Sequence, residues 1–393
     1  MIRKVCKWVV FKIVYPLWYF LFSRRKVEKN FYIFVENHME KPGDNFELLY
    51  RRLEQQGAHV KVHYLKVYEG NYLQIVKRSL SLIQDMAVAQ GVFLSESNSL
   101  FGAFTLRKET QLVQVWHACG AFKRWGRSVA DKTFGEGLEE LTTYNGHRNY
   151  TLVPVSGEEV CWAYEEAFGL EDSEVVEPLG VSRTDVYFDP EMVKKAENRL
   201  REAIPWKGER KILLYAPTFR GDIKNAHMPD ALDLDMLYKA LHQEYIILIR
   251  NHPFVKQKMD IPKEYQKFAM EIKDELTTSQ LLMVADCCIT DYSSIVFEYS
   301  LMEKPMLFFA YDLAEYYDER GFYYPYETFV PGKIVTTTEG IIEGLCVWSD
   351  KDRERIVDFK ARYMSGCDGR ATERILQRMN QIAAKQEEKN DGK

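Results

Sequence analysis

Cysteine is sparse and unpaired in this sequence. Seven residues are scattered over 393, an odd number with no CxxC pair, which excludes a disulfide frame and points to thiols kept reduced in a cytosolic setting. The same scatter argues against zinc. Vicinal Cys287-Cys288, in the run VADCCIT, reads as two small hydrophobes of a buried strand. A cationic excess is missing as well: 53 Lys and Arg face 58 Asp and Glu, a net charge of −5, so no nucleic-acid partner is expected. No GxGxxG, Walker loop, HExxH or GxSxG occurs. Nicotinamide redox, P-loop hydrolysis and elbow-serine esterase chemistry thereby lose their main support. Asp233-Leu234-Asp235 matches the DxD pattern of metal-dependent sugar transferases, but it opens a helical run, where acids belong on dipole grounds.

An uninterrupted apolar run of transmembrane length is also lacking. Between Trp8 and Phe22 an aromatic-rich stretch is broken by Lys12 and Pro16, shorter than the roughly 20 residues a spanning helix needs. The first thirty residues hold eight Lys or Arg against one acid, Glu28, which leaves −12 on residues 31–393. Ser-Arg-Arg-Lys follows the apolar run in place of a small-residue cleavage site. Aromatics flanked by cations are the ingredients of an amphipathic segment lying on an anionic membrane surface.

At roughly 150 residues per domain, the length gives two or three domains, and 46% hydrophobic residues can fill their cores. Beyond the first segment, short β-branched or aromatic runs alternate with helical ones, the pattern of parallel sheets wrapped by helices. One series comprises FYIFVE (31–36), HVKVHYL (59–65), GVFLS (91–95), LVQVW (112–116) and TLVPVS (151–156); a second comprises KILLYAP (211–217), YIILIR (245–250), ADCCIT (285–290) and MLFFA (306–310). The fold class is α/β, divided into a basic membrane-surface segment (1–30), an N-terminal Rossmann-like domain (31–189), a C-terminal one (190–382) and a polar tail (383–393). The break falls at Asp189-Pro190, and the last helical run, 351–385, frays into the tail. Sheets of this kind bind ligands outside the carboxyl ends of their strands.

Unusual residues collect at those ends. His117 follows strand 112–116, with Gly120 permitting close backbone approach and Lys123 a short loop further on; such a histidine can act as a base or simply satisfy a turn. Arg250 and His252 leave strand 245–250 together in IRNHP, a cation and an imidazole suited to an anionic substrate. Asp291, Ser293 and Ser294 lead from ADCCIT into an apolar helix, where serines either cap or expose backbone N–H groups to phosphate. LLYAPTFRGD brings Thr218 and Arg220 to a strand end, for a phosphate or a surface salt bridge. Arg320-Gly321 sits in the long aromatic loop YDLAEYYDERGFYYPYETFVPGKI, and long loops in compact domains are commonly functional.

Taken in order, WHACGAFKRWG, PLGVSRTDVYF (178–188), LLYAPTFRGD, IRNHP, ITDYSSIVFEY, KPMLFFAYDLAEYYDERGFYY, VPGKI and CDGRATERI (367–375) resemble the CDP-glycerol glycerophosphotransferase family of teichoic-acid and capsule synthesis, over about residues 31–380. The resemblance implies a GT-B-like architecture, two Rossmann-like domains facing a central cleft, in an enzyme peripheral to the cytoplasmic face of the membrane. It implies transfer of glycerol phosphate or ribitol phosphate from CDP-glycerol or CDP-ribitol to a hydroxyl of an undecaprenyl-type lipid-linked acceptor, with release of CMP. Neither cofactor nor metal is expected, since no carboxylate cluster at metal-ligand spacing accompanies these positions. The WH and HP histidines of the family are His117 and His252 here, both implicated in catalysis, and we assign His117 as base. Arg220, Arg250, Asp291, Ser293, Ser294 and Arg320, beside Thr218 and Gly321, would cradle the pyrophosphate or cytidine, and Lys123 would steer either substrate. Where the family often reads WHGT, this chain has Ala118-Cys119-Gly120, a variant associated with capsule-like and ribitol-handling branches, so both polyols stay open. A nucleotide-sugar glycosyltransferase on the same GT-B scaffold is the alternative, since fold does not fix chemistry.

Overall fold

The computed structural model describes residues 2–391 except Tyr68, Thr133, Phe134, Glu136, Asp172, residues 222–224 and residues 257–258, and excludes the side chains of Ile2, residues 317–320 and residues 389–391. The chain forms two compact units. One comprises Met1–Ala118, Trp125–Asp185 and Ser365–Lys393; the other comprises Cys119–Arg124 and Val186–Met364. The division therefore falls close to Asp189-Pro190, but Cys119–Arg124 joins the second unit and the C-terminal segment joins the first.

The first unit is built on four parallel strands, β1 (Glu28–Glu36), β2 (His59–Tyr64), β3 (Ala89–Leu94) and β4 (Gln111–Gln114), in the order β2-β1-β3-β4. A short pair, β5 (Val153–Pro154) and β6 (Val176–Glu177), continues from β4 through a bridge between Val113 and Leu152. Parallel strands are covered on both faces and so read as continuous apolar runs; Ile33, Phe34, Val92, Phe93, Leu112 and Val113 are fully buried. Phe34 stacks on Phe93 at 4.6 Å. Phe46, Leu49 and Leu53, spaced along one face of the helix Asp44–Gln55, close this core together with Ile375 and Met379 from the C-terminal helix.

In the second unit six parallel strands stand in the order β12-β11-β10-β7-β8-β9, with β7 (Lys211–Ala216), β8 (Tyr245–Ile249), β9 (Ala269–Glu271), β10 (Cys287–Thr290), β11 (Met306–Phe309) and β12 (Lys333–Val335). Its core includes Leu213, Ile247, Ile249 and Ile289 packed on Leu237 of the helix Leu234–Leu241. Asp233 caps that helix by accepting the Met236 N–H at 2.9 Å, the capping role that its sequence position indicates. Cys287 and Cys288 are buried in β10 as free thiols.

Three expectations are corrected. The strand read as LVQVW stops at Gln114, because Trp116 takes a left-handed φ of 55° that no strand accommodates. The single helical run over 351–385 is two helices, Asp350–Tyr363 and Ala371–Asp391, separated by a turn in which Gly369 adopts a φ of 88°. The N-terminal stretch is helical throughout, Ile2–Val9 and Tyr15–Phe22 joined by a π turn at Val10–Val14, so Arg3–Phe22 gives 20 residues long and apolar enough to cross a membrane. Helical continuity through Lys12 and Pro16 supplies the length that the interrupted sequence seemed to lack. One face of this helix is nevertheless docked on its own unit: Tyr19 stacks on Phe104 at 4.3 Å and the Trp18 indole N–H donates to the Leu80 carbonyl at 3.0 Å. The other face leaves Val5, Trp8, Ile13, Leu17, Phe20 and Leu21 exposed.

Candidate functional site

In the first unit the chain runs from β1 outward to β2, then returns to β3 and on to β4. The connections diverge between β1 and β3, and a parallel sheet opens a crevice at such a switch point. Glu36 ends β1, Ser95 and Glu96 follow β3, and His117 follows β4. His117 Nδ1 lies 3.0 Å from the Ser95 carbonyl oxygen. A carbonyl can only accept, so the neutral ring carries its proton on Nδ1 and presents a lone pair at Nε2. Burial lowers the pKa of His117, the Ser95 carbonyl and Glu96 pull it upward, and Arg183 lowers it again. Arg183 also donates to the His117 carbonyl at 2.7 Å and to Asn45 Oδ1 at 2.8 Å, fixing the backbone on which the imidazole stands. Glu96 pairs with His38 at 2.9 Å. The buried Glu36 carboxyl accepts the Gly43 N–H at 2.6 Å, and burial pushes its pKa up to about 7.

The second unit has its own switch point between β7 and β10. At their carboxyl ends Thr218, Arg220 and Asp291 come together. Asp291 Oδ1 accepts the N–H groups of Thr218 at 2.8 Å and Tyr292 at 2.6 Å. Arg220 lies across this pair: it contacts Asp291 Oδ2 at 2.9 Å, Asp312 Oδ2 at 2.5 Å and the Thr218 carbonyl at 2.7 Å. Burial works against its charge, but the two carboxylates raise its pKa well above the ordinary value. Most of its donors are thus committed within the protein, and Arg220 organises the loop. Thr218 Oγ1, in contrast, is buried with no hydrogen-bond partner among the described residues, a polar group left at the strand end. Ser293 Oγ accepts the Ile295 N–H at 3.3 Å, whereas Ser294 makes no side-chain cap to the short helix Ile295–Ser300.

His252 is exposed and rests beside the rings of Phe219 at 4.9 Å and Phe254 at 4.7 Å. Its Nδ1 accepts the Phe254 backbone N–H at 3.2 Å, so its proton sits on Nε2. Loss of hydration against the surrounding protein, followed by the charge of Lys123, lowers its pKa to about 4. Lys123 Nζ in turn lies 3.3 Å from the Tyr316 hydroxyl, and Tyr316 stacks on Tyr292 at 3.9 Å, which ties Lys123 to the β10 end. Arg250 turns to the Ile272 carbonyl at 3.2 Å and to that of Lys273, at the end of β9. Gly321 takes a φ of 71° and its carbonyl accepts the Arg124 N–H at 3.2 Å; the Arg320 side chain lies outside the described residues. Among the described residues no three metal-ligating side chains cluster.

With this geometry in view, the model of one protein family matches residues 17–381: CDP-Glycerol:Poly(glycerophosphate) glycerophosphotransferase. The chain belongs to that family. It is 34% identical over 373 residues to the teichoic acid poly(ribitol-phosphate) polymerase of Bacillus spizizenii, covering 94% of this chain and 59% of that protein. It is 33% identical over 342 residues to the teichoic acid ribitol-phosphate primase of the same organism, covering 84% of this chain and 86% of that protein. The chain thus spans about three fifths of the length of the polymerase and most of the primase. A solved structure of the wall teichoic acid polymerase TagF shares the fold, with a TM-score of 0.75 at 22% identity over 98% of both chains.

For this glycerophosphotransferase-family chain, two site residues lie within its motifs but have no role that the sequence reveals. Asp312 stands in KPMLFFAYDLAEYYDERGFYY and is set against Arg220 only by the fold, and Arg183 stands in PLGVSRTDVYF until its guanidinium reaches the His117 backbone. The tautomer of His117 depends on Ser95, 22 residues away, through a main-chain atom that every residue possesses.

Proposed function

We propose that the chain transfers a polyol phosphate from a CDP-alcohol to a hydroxyl of a lipid-linked acceptor, with His117 as general base. The observation that carries this reading is the Nδ1–H bond to Ser95, which leaves the Nε2 lone pair available. In the reaction the acceptor hydroxyl gives its proton to Nε2 while its oxygen forms a bond to the alcohol-bearing phosphorus. The bond from that phosphorus to the bridging oxygen breaks and CMP leaves with the electron pair. Charge spreads over the non-bridging oxygens during this step, and a neutral N–H donor aimed at them lowers the barrier. His252, with its proton on Nε2 and a pKa near 4, suits that second role and remains neutral at physiological pH. The β7–β10 switch point, with Thr218 Oγ1 unpartnered and Lys123 linked to the same loop, is the donor side in this reading.

Ribitol phosphate is the favoured cargo, since the two relatives described above carry that polyol in their names. We read the two parallel-sheet units as the halves of a GT-B enzyme, and the exposed apolar face of the N-terminal helix, flanked by Lys4, Lys7, Arg24 and Arg25, as its seat on the cytoplasmic face of an anionic membrane. The test is CMP release with CDP-ribitol and, separately, CDP-glycerol, using a lipid-linked acceptor analogue, with and without EDTA. Release that resists EDTA and drops at least 100-fold in His117→Ala is expected; undiminished release by that variant would remove His117 from the chemistry.

A further inference from the structure

We propose that Gln114 is the positioning residue of the catalytic base, a role that rests on the reading of His117 given above. Gln114 is the last residue of β4 and is completely buried. Its Oε1 accepts the Trp116 N–H at 3.0 Å, and its Nε2 donates to the Glu96 carbonyl at 3.2 Å and to the Tyr150 hydroxyl at 2.8 Å. Chemistry fixes the orientation of this amide, because a backbone N–H can be received only by the oxygen and a backbone carbonyl only by the nitrogen. The Tyr150 hydroxyl therefore accepts from Gln114, and it also pairs with His147 Nδ1 at 3.0 Å. Both N–H donors and the acceptor oxygen of this buried amide are engaged.

The partners are what give this network a function. Trp116 directly precedes His117, and Glu96 directly follows Ser95, whose carbonyl receives the His117 Nδ1–H. Gln114 thus ties together the two loops that determine where the imidazole stands and which nitrogen bears its proton. Trp116 has a φ of 55°, a conformation that costs a bulky residue about 1–2 kcal/mol and persists where its surroundings over-determine it. The bond to Gln114 Oε1 holds that turn, and the Trp116 ring then lies 4.2 Å from the His117 ring. A residue chosen for packing alone would be aliphatic at this fully buried position.

Gln114→Met keeps length and approximate shape while removing the donors and the acceptor. With CDP-ribitol and a lipid-linked acceptor analogue, kcat is expected to fall about 10- to 100-fold, the size of effect that small misplacements of catalytic groups produce, while KM for the CDP-alcohol stays within about twofold. Nitrogen-15 NMR of the full chain is expected to show His117 protonated on Nδ1 in the wild type and as a tautomer mixture in the variant. Tyr150→Phe, which spares the bonds to Trp116 and Glu96, should change kcat less than about threefold. If Gln114→Met fails to fold, Gln114→Glu takes its place: it retains an acceptor for Trp116, turns the donor facing Glu96 into a second acceptor, and should lower kcat at least tenfold. Wild-type kcat and an unchanged His117 tautomer in the substituted protein would overturn the proposal, as would a loss expressed in KM alone. His117→Ala, run in parallel, separates the two readings: if it is inactive while Gln114→Met is normal, only the role of Gln114 falls. If His117→Ala remains active the base assignment falls, and the nitrogen spectra alone decide whether Gln114 holds the ring.

Discussion

His147 provides a quantitative check on the buried network behind the site. The residue is 8% exposed, and burial, followed by the charge of Arg127, lowers its pKa from 6.5 to about 4. Its Nδ1 pairs with the Tyr150 hydroxyl at 3.0 Å, and burial beside Arg127 favours the neutral ring. In the unfolded chain the same imidazole takes up a proton near pH 6.5, before the folded protein does. This contribution to stability is therefore complete above that pH and is lost as pH falls toward 4. At about 1.4 kcal/mol per pH unit, the difference amounts to about 3 kcal/mol by pH 4, of which about 2 kcal/mol is gone by pH 5. The comparison is with His147→Gln, whose Oε1 offers Tyr150 an acceptor that does not titrate. Urea unfolding at pH 7 and pH 5 should show the wild type losing about 2 kcal/mol more than the variant, because the other titrating groups cancel. Equal losses in both proteins would refute the neutral, buried state assigned to His147.

Three further outcomes are expected elsewhere. Gly120 has a φ of 62° and a Cβ added there would come within 2.1 Å of the Phe297 ring, so Gly120→Ala should lower the stability of the second unit by about 2–4 kcal/mol in calorimetry or urea melts; a cost below about 1 kcal/mol would mean that the ring moves aside freely. Asp312→Ala leaves Arg220 with one of its two carboxylates in a largely buried setting and should cost about 3 kcal/mol, with wild-type stability the contrary result. Replacing Trp8 and Leu17 by Glu on the exposed face of the N-terminal helix should abolish flotation with anionic vesicles while leaving the circular dichroism melt unchanged, and retained flotation would assign membrane attachment to another surface.

The sheets were legible in the sequence because parallel strands are buried on both faces and leave continuous apolar runs. FYIFVE, KILLYAP and YIILIR stand within three residues of β1, β7 and β8. β6, β9 and β12 leave no strand signal in the sequence, since two or three residues give no period to read. Candidate site residues were legible by type and by their position at strand ends, but their partners were not. The sequence places Arg220 where a phosphate could be gripped, and the structure commits it to Asp291 and Asp312. It places His117 after a strand without indicating which nitrogen is protonated, since that depends on the Ser95 main chain. The left-handed turn at Trp116 has no glycine or asparagine to announce it; it is imposed by the hydrogen bond from two residues earlier.

The route of the backbone between the two units has a consequence for how such a protein is inherited. The chain changes unit after Ala118, Arg124, Asp185 and Met364, so neither unit corresponds to one continuous stretch of gene. A recombination with a single breakpoint cannot exchange one unit for a homologue's; it severs at least one unit internally. The first of these crossings follows His117 by one residue, so the proposed base and the start of the other unit are genetically inseparable. New ligand preferences in this architecture are therefore expected to arise by substitution at strand ends, within a frame that descends as a whole.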